Sequence, residues 1–247
     1  MKFEVGPSIV RDGLILYLDA GNPASYISGS TMWRDMIGTN NGTLTNGPTF
    51  DTGSGGSIVF DGTNDYTEIA GNTFNYSPGT TGELSLELWI YPTGPFSSYT
   101  NEPPISNLGG FFGQGYFAAS VGWGIGMTTV SGINYFNFQV RNMGTTVSVG
   151  VSTVSFTTGS WYHLVGSFTR NDFSRLYING QLQASGSSTI LNGVSITPNV
   201  NDAALGRVGS QPFYSGCKIS VGILYSRPLS STEVLQNYNT LKGRFGL

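Results

Sequence analysis

The sequence predicts an all-β protein, a sandwich of two antiparallel sheets with one short C-terminal helix. Three observations carry that expectation. Short apolar runs alternate with Gly, Asn, Asp and Pro along the whole chain, the period-2 signature of strands separated by turns. Charged residues make up 10% of the 247, against about 25% in ordinary soluble domains, while Gly contributes 36. Aromatic residues reach 13%, enough buriable surface for a chain so poor in charge to fold rather than stay disordered.

The strands read in order as Leu14 to Leu18, Ser57 to Phe60, Leu84 to Tyr91, Tyr135 to Val140, Trp161 to Phe168, Leu176 to Ile178 and Lys218 to Tyr225. In the third, Leu84, Leu86, Leu88 and Ile90 share one face and Ser85, Glu87, Trp89 and Tyr91 the other, so one face is core. Asn179-Gly180, set between Leu176-Tyr177-Ile178 and Gln181-Leu182-Gln183, is the dipeptide that favours a type I′ hairpin turn. Thr93 to Gly115, containing Pro95, Pro103 and Pro104, is the longest stretch without a pattern and reads as a long loop of the kind that carries function.

One helix is expected near the C-terminus. Ser230-Ser231-Thr232-Glu233 has capping-box spacing, and Val234, Leu235, Tyr238 and Leu241 follow on one side. Pro228 and Gly243 bracket it as start and stop signals, and it is expected to close an open end of the sandwich. The whole of residues 1–247 reads as a single domain, with 1–12 an N-terminal arm and 242–247 a C-terminal tail; one core of this size is ordinary for an all-β fold.

The net charge is −3 and no stretch gathers more than two basic residues, which argues against nucleic acid and membrane surfaces as partners. The N-terminus lacks the apolar run of a signal peptide, and no membrane-length apolar segment occurs. The single cysteine, Cys217, cannot form an internal disulfide, as expected of synthesis in a reducing cytoplasm. The Gly, Ser, Thr and Asn-rich surface suits work outside the cell. A virus particle component meets both conditions.

Several segments together resemble the laminin-G-like, concanavalin A-like jelly-roll superfamily. They are Phe60-Asp61-Gly62-Thr63-Asn64-Asp65-Tyr66, Leu84 to Ile90, Trp161-Tyr162-His163-Leu164-Val165, Leu176 to Gly180, Leu205-Gly206-Arg207, Tyr214-Ser215-Gly216, Ile219 to Tyr225, and Arg227 to Val234. The resemblance runs from about residue 13 to residue 240 and implies a jelly-roll sandwich that binds glycans or proteins, sometimes with calcium. Gly13 to Pro23 and Asn237 to Phe245 further resemble laminin-G-like proteins of tailed bacteriophages, many of them virion structural proteins. That resemblance implies a virion surface protein, a capsid decoration or part of a fibre or tail appendage, made in the host cytoplasm. Its partners would be other virion proteins and host surface glycans. A stand-alone lectin-like module is the alternative, and a glycoside hydrolase a third reading. The chain departs from its relatives at Ser220, near which they commonly carry an acidic residue.

The residues argue against catalysis. The Glu-x-Asp-x-x-Glu pattern of glycosidases that share this architecture is absent. Glu83 and Glu87 are separated by four strand steps, roughly 13 Å, beyond the roughly 5–9.5 Å of glycosidase pairs; both are expected to be exposed strand carboxylates. His163, the only histidine, lies in an apolar strand with no nucleophile motif and reads as packing. Cys217 reads as an inert, partly buried thiol. No cofactor is required, but Asp61, Asn64 and Asp65 at a strand end offer the hard oxygen ligands that calcium takes, with an Asx turn as the competing reading. The loop aromatics Phe96, Tyr99, Phe111, Phe112, Tyr116 and Trp123 are the candidate contacts for a sugar ring or a partner subunit, about half of them being expected in the core. Few charges guard the sheet edges, so a homo-oligomer is expected, as a trimer or on a capsid lattice, with Phe245 and Leu247 of the tail as an exposed contact.

Overall fold

The computed structural model describes residues 8–69, 74, 76–96, 108–115, 121–142, 146–198, 203–207 and 213–247. Its strands are β1 (Leu14–Asp19), β2 (Met32–Trp33), β3 (Gly42–Thr45), β4 (Thr49–Asp51), β5 (Ser57–Asp61), β6 (Tyr66–Ile69), β7 (Leu84–Phe96) and β8 (Leu108–Gln114). There follow β9 (Gly122–Val130), β10 (Ile133–Asn142), β11 (Thr146–Ser155), β12 (Tyr162–Phe168), β13 (Phe173–Ile178), β14 (Gln181–Ser187), β15 (Ala204–Leu205) and β16 (Ser215–Tyr225), then the helix α1 (Ser231–Leu241).

The strands form two antiparallel sheets in a concanavalin A-like jelly roll. The first has the order β14-β13-β12-β7-β16-β5-β4, with β1 pairing the far half of β16, and the second the order β11-β10-β9-β8-β15-β6-β3-β2. Long β7 and β16 sit side by side at the centre of the first sheet, where alternation of apolar side chains is strictest. Leu84, Leu86, Leu88 and Ile90 point inward against Phe136, Phe138 and Val140 of the facing sheet, in one continuous core. The hairpin stands where the sequence places it: Asn179 and Gly180 take φ of 51° and 77°, and Ile178 pairs with Gln181. Thr93 to Gly115 is not one irregular loop, since β7 runs on to Phe96 and β8 occupies Leu108–Gln114.

The face of β7 expected to meet solvent is buried as well. Trp89, Val165, Tyr177, Val221, Ile223 and Tyr225 on the outside of the first sheet make a second apolar cluster with Ile9 and Val10 of the arm and Leu229, Val234 and Phe245 of the C-terminal region. The helix therefore lies over a sheet face instead of closing an end of the sandwich. Its capping box forms as expected, Ser230 Oγ accepting from the Glu233 N–H and Glu233 Oε2 from the Ser230 N–H. The Arg227 guanidinium, bonded to both Glu233 oxygens, holds that carboxyl down at about 2. Val234 faces the sheet, but Leu235 is 40% exposed, and buried Asn237 takes the place on the packing face that the apolar pattern assigned to it. Gly243 does not stop the chain: a 3-10 turn over Lys242–Phe245 follows directly, and it buries Phe245. The tail is thus an intramolecular contact at Phe245, and Leu247 alone of the two stays open.

Polar groups hold this outer layer in register. Glu87 is fully buried, not exposed; its Oε1 lies 3.0 Å from His163 Nε2 and its Oε2 accepts from Asn237 Nδ2 at 2.6 Å. Asn237 Nδ2 also donates to Tyr225 OH, and its Oδ1 accepts the Val10 N–H. Arm, sheet and helix therefore meet at one amide, that of Asn237. His163 is more than the packing residue expected: it hydrogen-bonds Glu87 on one side and sets its ring 4.8 Å from that of Trp89 on the other.

Candidate functional site

The aromatic residues expected to contact a ligand are mostly spent on the core. Phe111, Phe112 and Trp123 are fully buried or nearly so, because β8 and β9 turn them between the sheets. Trp123 Nε1 donates to the Tyr76 carbonyl there. Phe96, half-buried, meets Phe111 and Phe156 edge-on and belongs to the border of the core. Tyr99 and Tyr116 lie outside the described residues. Cys217 is fully buried, and burial pushes its thiol up.

Asp61, Asn64 and Asp65 come together as a turn between β5 and β6. Asp61 Oδ1 accepts the N–H groups of Thr63 and Asn64, which hold its carboxyl below the usual range, and Asp65 Oδ2 accepts the Asp61 N–H. Burial and the neighbouring Asp61 charge push Asp65 up. This is an Asx turn satisfied by its own backbone. Among the described residues no third acidic, histidine or cysteine side chain joins these two carboxylates, so the set falls short of the six to eight oxygens calcium takes.

What the fold does build is a cleft of about 370 Å³ beside edge strand β4, lined by residues from the segment after β1 and from the β4–β5 turn, chiefly Gly21, Tyr26, Ile27, Phe50, Thr52 and Gly55. The segment is shaped by its short polar residues. Asn22 Oδ1 accepts the Ala24 N–H and its backbone carbonyl accepts from Ser25 and Tyr26, Ser25 Oγ donates to the Arg34 carbonyl, and Tyr26 OH donates to the Ser30 carbonyl. The Tyr26 and Phe50 rings stand 5.1 Å apart at 40°, and desolvation raises the Tyr26 phenol. Opposite, Ser54, Gly55 and Gly56 take successive positive φ of 51°, 76° and 120°, a backbone that glycine adopts at little cost.

The floor of the cleft is pinned from the far end of the chain. Arg244 donates to the carbonyls of Ser54 and Gly56 and pairs with Asp19 at 2.7 Å. Ser220 donates to the Gly56 carbonyl and accepts from Arg244. The serine that departs from the acidic pattern thus works as a bridge, and the carboxylate facing Arg244 comes from Asp19. At Gly21 a side chain would strike the Arg244 guanidinium and the Gly55 carbonyl, so the approach of the two termini requires glycine there. The cleft suits a small, partly apolar ligand: its volume is in the range of small-molecule sites, with aromatic faces and a few hydroxyl and carbonyl groups to orient it. Its aromatic residues were not legible as ligands, since Tyr26 and Phe50 sit singly in turn-rich sequence.

Solved structures with this architecture are distant in sequence. Domain 4 of AbnA, a GH43 extracellular arabinanase from Geobacillus stearothermophilus solved with arabinotriose, is 20% identical at a TM-score of 0.62, the match covering 91% of this chain and 98% of that one. The binding domain of Paraclostridial Mosquitocidal Protein 1 is 17% identical at 0.63, covering 92% and 52%. The ligand binding domain of Botulinum neurotoxin serotype D, solved with N-acetylneuraminic acid, is 13% identical at 0.63, covering 92% and 51%. The chain spans about half the length of these two toxin chains. These likenesses carry the fold. No curated protein matches the sequence. A laminin-G-type family model, that of the concanavalin A-like lectin/glucanases superfamily, matches residues 61–235, and with more than half the chain matched to a jelly roll of this architecture, the protein belongs to that superfamily.

Proposed function

We propose that this is a non-catalytic glycan-binding domain, displayed as a homo-oligomer on the surface of a bacteriophage virion as capsid decoration or as part of a fibre or tail appendage, beside other virion proteins. The cleft between Tyr26, Phe50 and the Gly53–Gly56 turn carries the glycan half, since it pairs aromatic faces with hydroxyl and carbonyl groups at a size that takes a sugar ring. The sugars held by two of the similar structures support that ligand class. Neither strand carboxylate serves the cleft: Glu83 accepts the Arg170 N–H, and Glu87 is buried under α1. The virion half is supported by the phage-like termini. Those segments supply the cleft, Ala20 to Pro23 as wall and Arg244 beneath it.

A glycan array probed with and without calcium tests the first half. The intact chain is expected to mark a defined set of sugars, and Phe50→Ala to weaken that binding about tenfold or more, the usual scale for losing a central aromatic anchor. A blank array sinks the glycan reading. Mass spectrometry of purified particles of the encoding virus tests the second half. The polypeptide is expected among the virion proteins, and its absence there, with glycan binding retained, would favour a stand-alone lectin-like module.

A further inference from the structure

Arg207 is a buried cation that joins no ion pair among the described residues. Arg175 and Asp172, Arg227 and Glu233, and Arg244 and Asp19 are paired, while Arg170 donates to four backbone carbonyls. Arg207 is only 8% exposed, its Nε is buried without a hydrogen-bond partner, and among the described residues no carboxylate pairs with it. It follows directly on β15, where Gly206 takes φ of +81° and Arg207 bridges to Tyr214. Its guanidinium carbon lies 3.6 Å from the centre of the Tyr66 ring, and the Tyr66 and Tyr214 rings are 6.3 Å apart.

Removing a cation from water without a counter-charge is unfavourable, and one aromatic face offsets only part of that cost. The stacking on Tyr66 fixes the plane of the fork, and the Nε donor has no hydrogen-bond partner. We propose that Arg207, held by Tyr66 and flanked by Tyr214, is the contact for the carboxylate of an acidic sugar. A guanidinium fork matches a carboxylate through two parallel hydrogen bonds, and the tyrosine rings offer apolar faces to the sugar carbons. A single cation in a chain of net charge −3 suits one carboxylate better than a polyanion. Among the described residues no second cation stacks on either ring. The inference rests on the glycan reading and concerns a second place on the surface, sharing no residue with the Tyr26–Phe50 cleft.

Calorimetric titration of the whole chain with sialyllactose, a glucuronic-acid-terminated disaccharide, the methyl esters of both, and neutral lactose tests it. At least one free acid is expected to bind about tenfold or more tighter than its ester. That preference is expected to vanish in Arg207→Gln and to shrink in Arg207→Lys, which keeps the charge and loses the fork. The melting temperature of Arg207→Gln is expected to stay level or rise, because the substitution removes an unpaired buried charge; a clear fall would show a structural role and overturn the proposal. Equal binding of acids and esters, or a preference that survives Arg207→Gln, overturns it and leaves the glycan reading standing. If no sugar binds here and the array is blank, both fail together. Tighter, Arg207-dependent binding of an oligoglutamate peptide would overturn the sugar assignment in favour of an acidic peptide.

Discussion

Asn237→Leu is expected to lower folding stability by about 2–5 kcal/mol, the scale of leaving a buried carboxylate oxygen and a buried N–H each without a partner at about 1–3 kcal/mol apiece. The side chain is fully buried, and its amide joins three parts of the protein: Nδ2 donates to Glu87 Oε2 at 2.6 Å and to Tyr225 OH at 3.0 Å, and Oδ1 accepts the Val10 N–H at 2.8 Å. Leucine matches the volume but leaves one carboxylate oxygen of Glu87 without that donor and the Val10 N–H without its acceptor, both away from water. The desolvation of those groups, more than the bonds themselves, sets the size of the effect. Urea denaturation of the two proteins measures it, and amide exchange at Val10 should quicken because the arm loses its buried bond to the helix and keeps the exposed one from Gln236 to Ser8. Combining Asn237→Leu with Glu87→Leu should recover part of the loss, since the carboxylate is then gone. A cost below about 1 kcal/mol would mean that the arm and helix rearrange freely and that this junction is not what orders them.

That junction also marks where sequence reasoning stops. The hairpin at Asn179-Gly180 and the box from Ser230 to Glu233 were legible because each depends on residues adjacent in the chain, whose backbone preferences act locally. The inward face of β7 was legible because period-2 alternation reports the faces of a strand. The outward face was misread for a physical reason. Ser85, Glu87 and Trp89 alternate with leucines as solvent-facing residues do, and nothing local shows that Leu229 and a helix residue 150 positions beyond Glu87 roof them. Asn237 was passed over because a lone amide on a helix reads as surface. Of the candidate ligand aromatics about half were expected in the core, and which ones was not legible: Phe111, Phe112 and Trp123 lie among glycines, as binding loops do, yet β8 and β9 direct them inward. The cleft was the least legible feature, since it needs Asp19, the Gly53–Gly56 turn and Arg244, whose proximity exists only in the fold. The turn at Asp61 to Asp65 was visible in the sequence, and its backbone hydrogen bonds form the Asx turn.

Trp89→Ala is expected to cost about 3–5 kcal/mol, the range for deleting a buried aromatic ring. The ring is fully buried and is the pier on which the C-terminal region rests: Phe245 stacks on it at 4.2 Å and 13°, Tyr238 at 5.9 Å and 6°, and His163 lies against it at 4.8 Å. Part of the cavity can be refilled, because Phe245 sits in a short 3-10 turn near the end of the chain and Trp161 also touches it; this favours the lower half of the range. Phe245→Ala removes the other side of the same stack, so the double variant should lose less than the sum of the two by about 0.5 kcal/mol or more, the behaviour of residues in contact. Denaturation midpoints of the four proteins measure this, and strict additivity would show that the two rings stabilise separately. The stack has a functional consequence through the neighbouring residue in the chain. Arg244, next to Phe245, reaches under the cleft to Asp19 and to the carbonyls of Ser54 and Gly56. Loosening Phe245 must loosen that clamp, so Trp89→Ala is expected to weaken glycan binding as well, by less than Phe50→Ala. Binding that is untouched by Trp89→Ala while stability falls would show that Arg244 keeps its place without the stack, held by Asp19 and the turn alone.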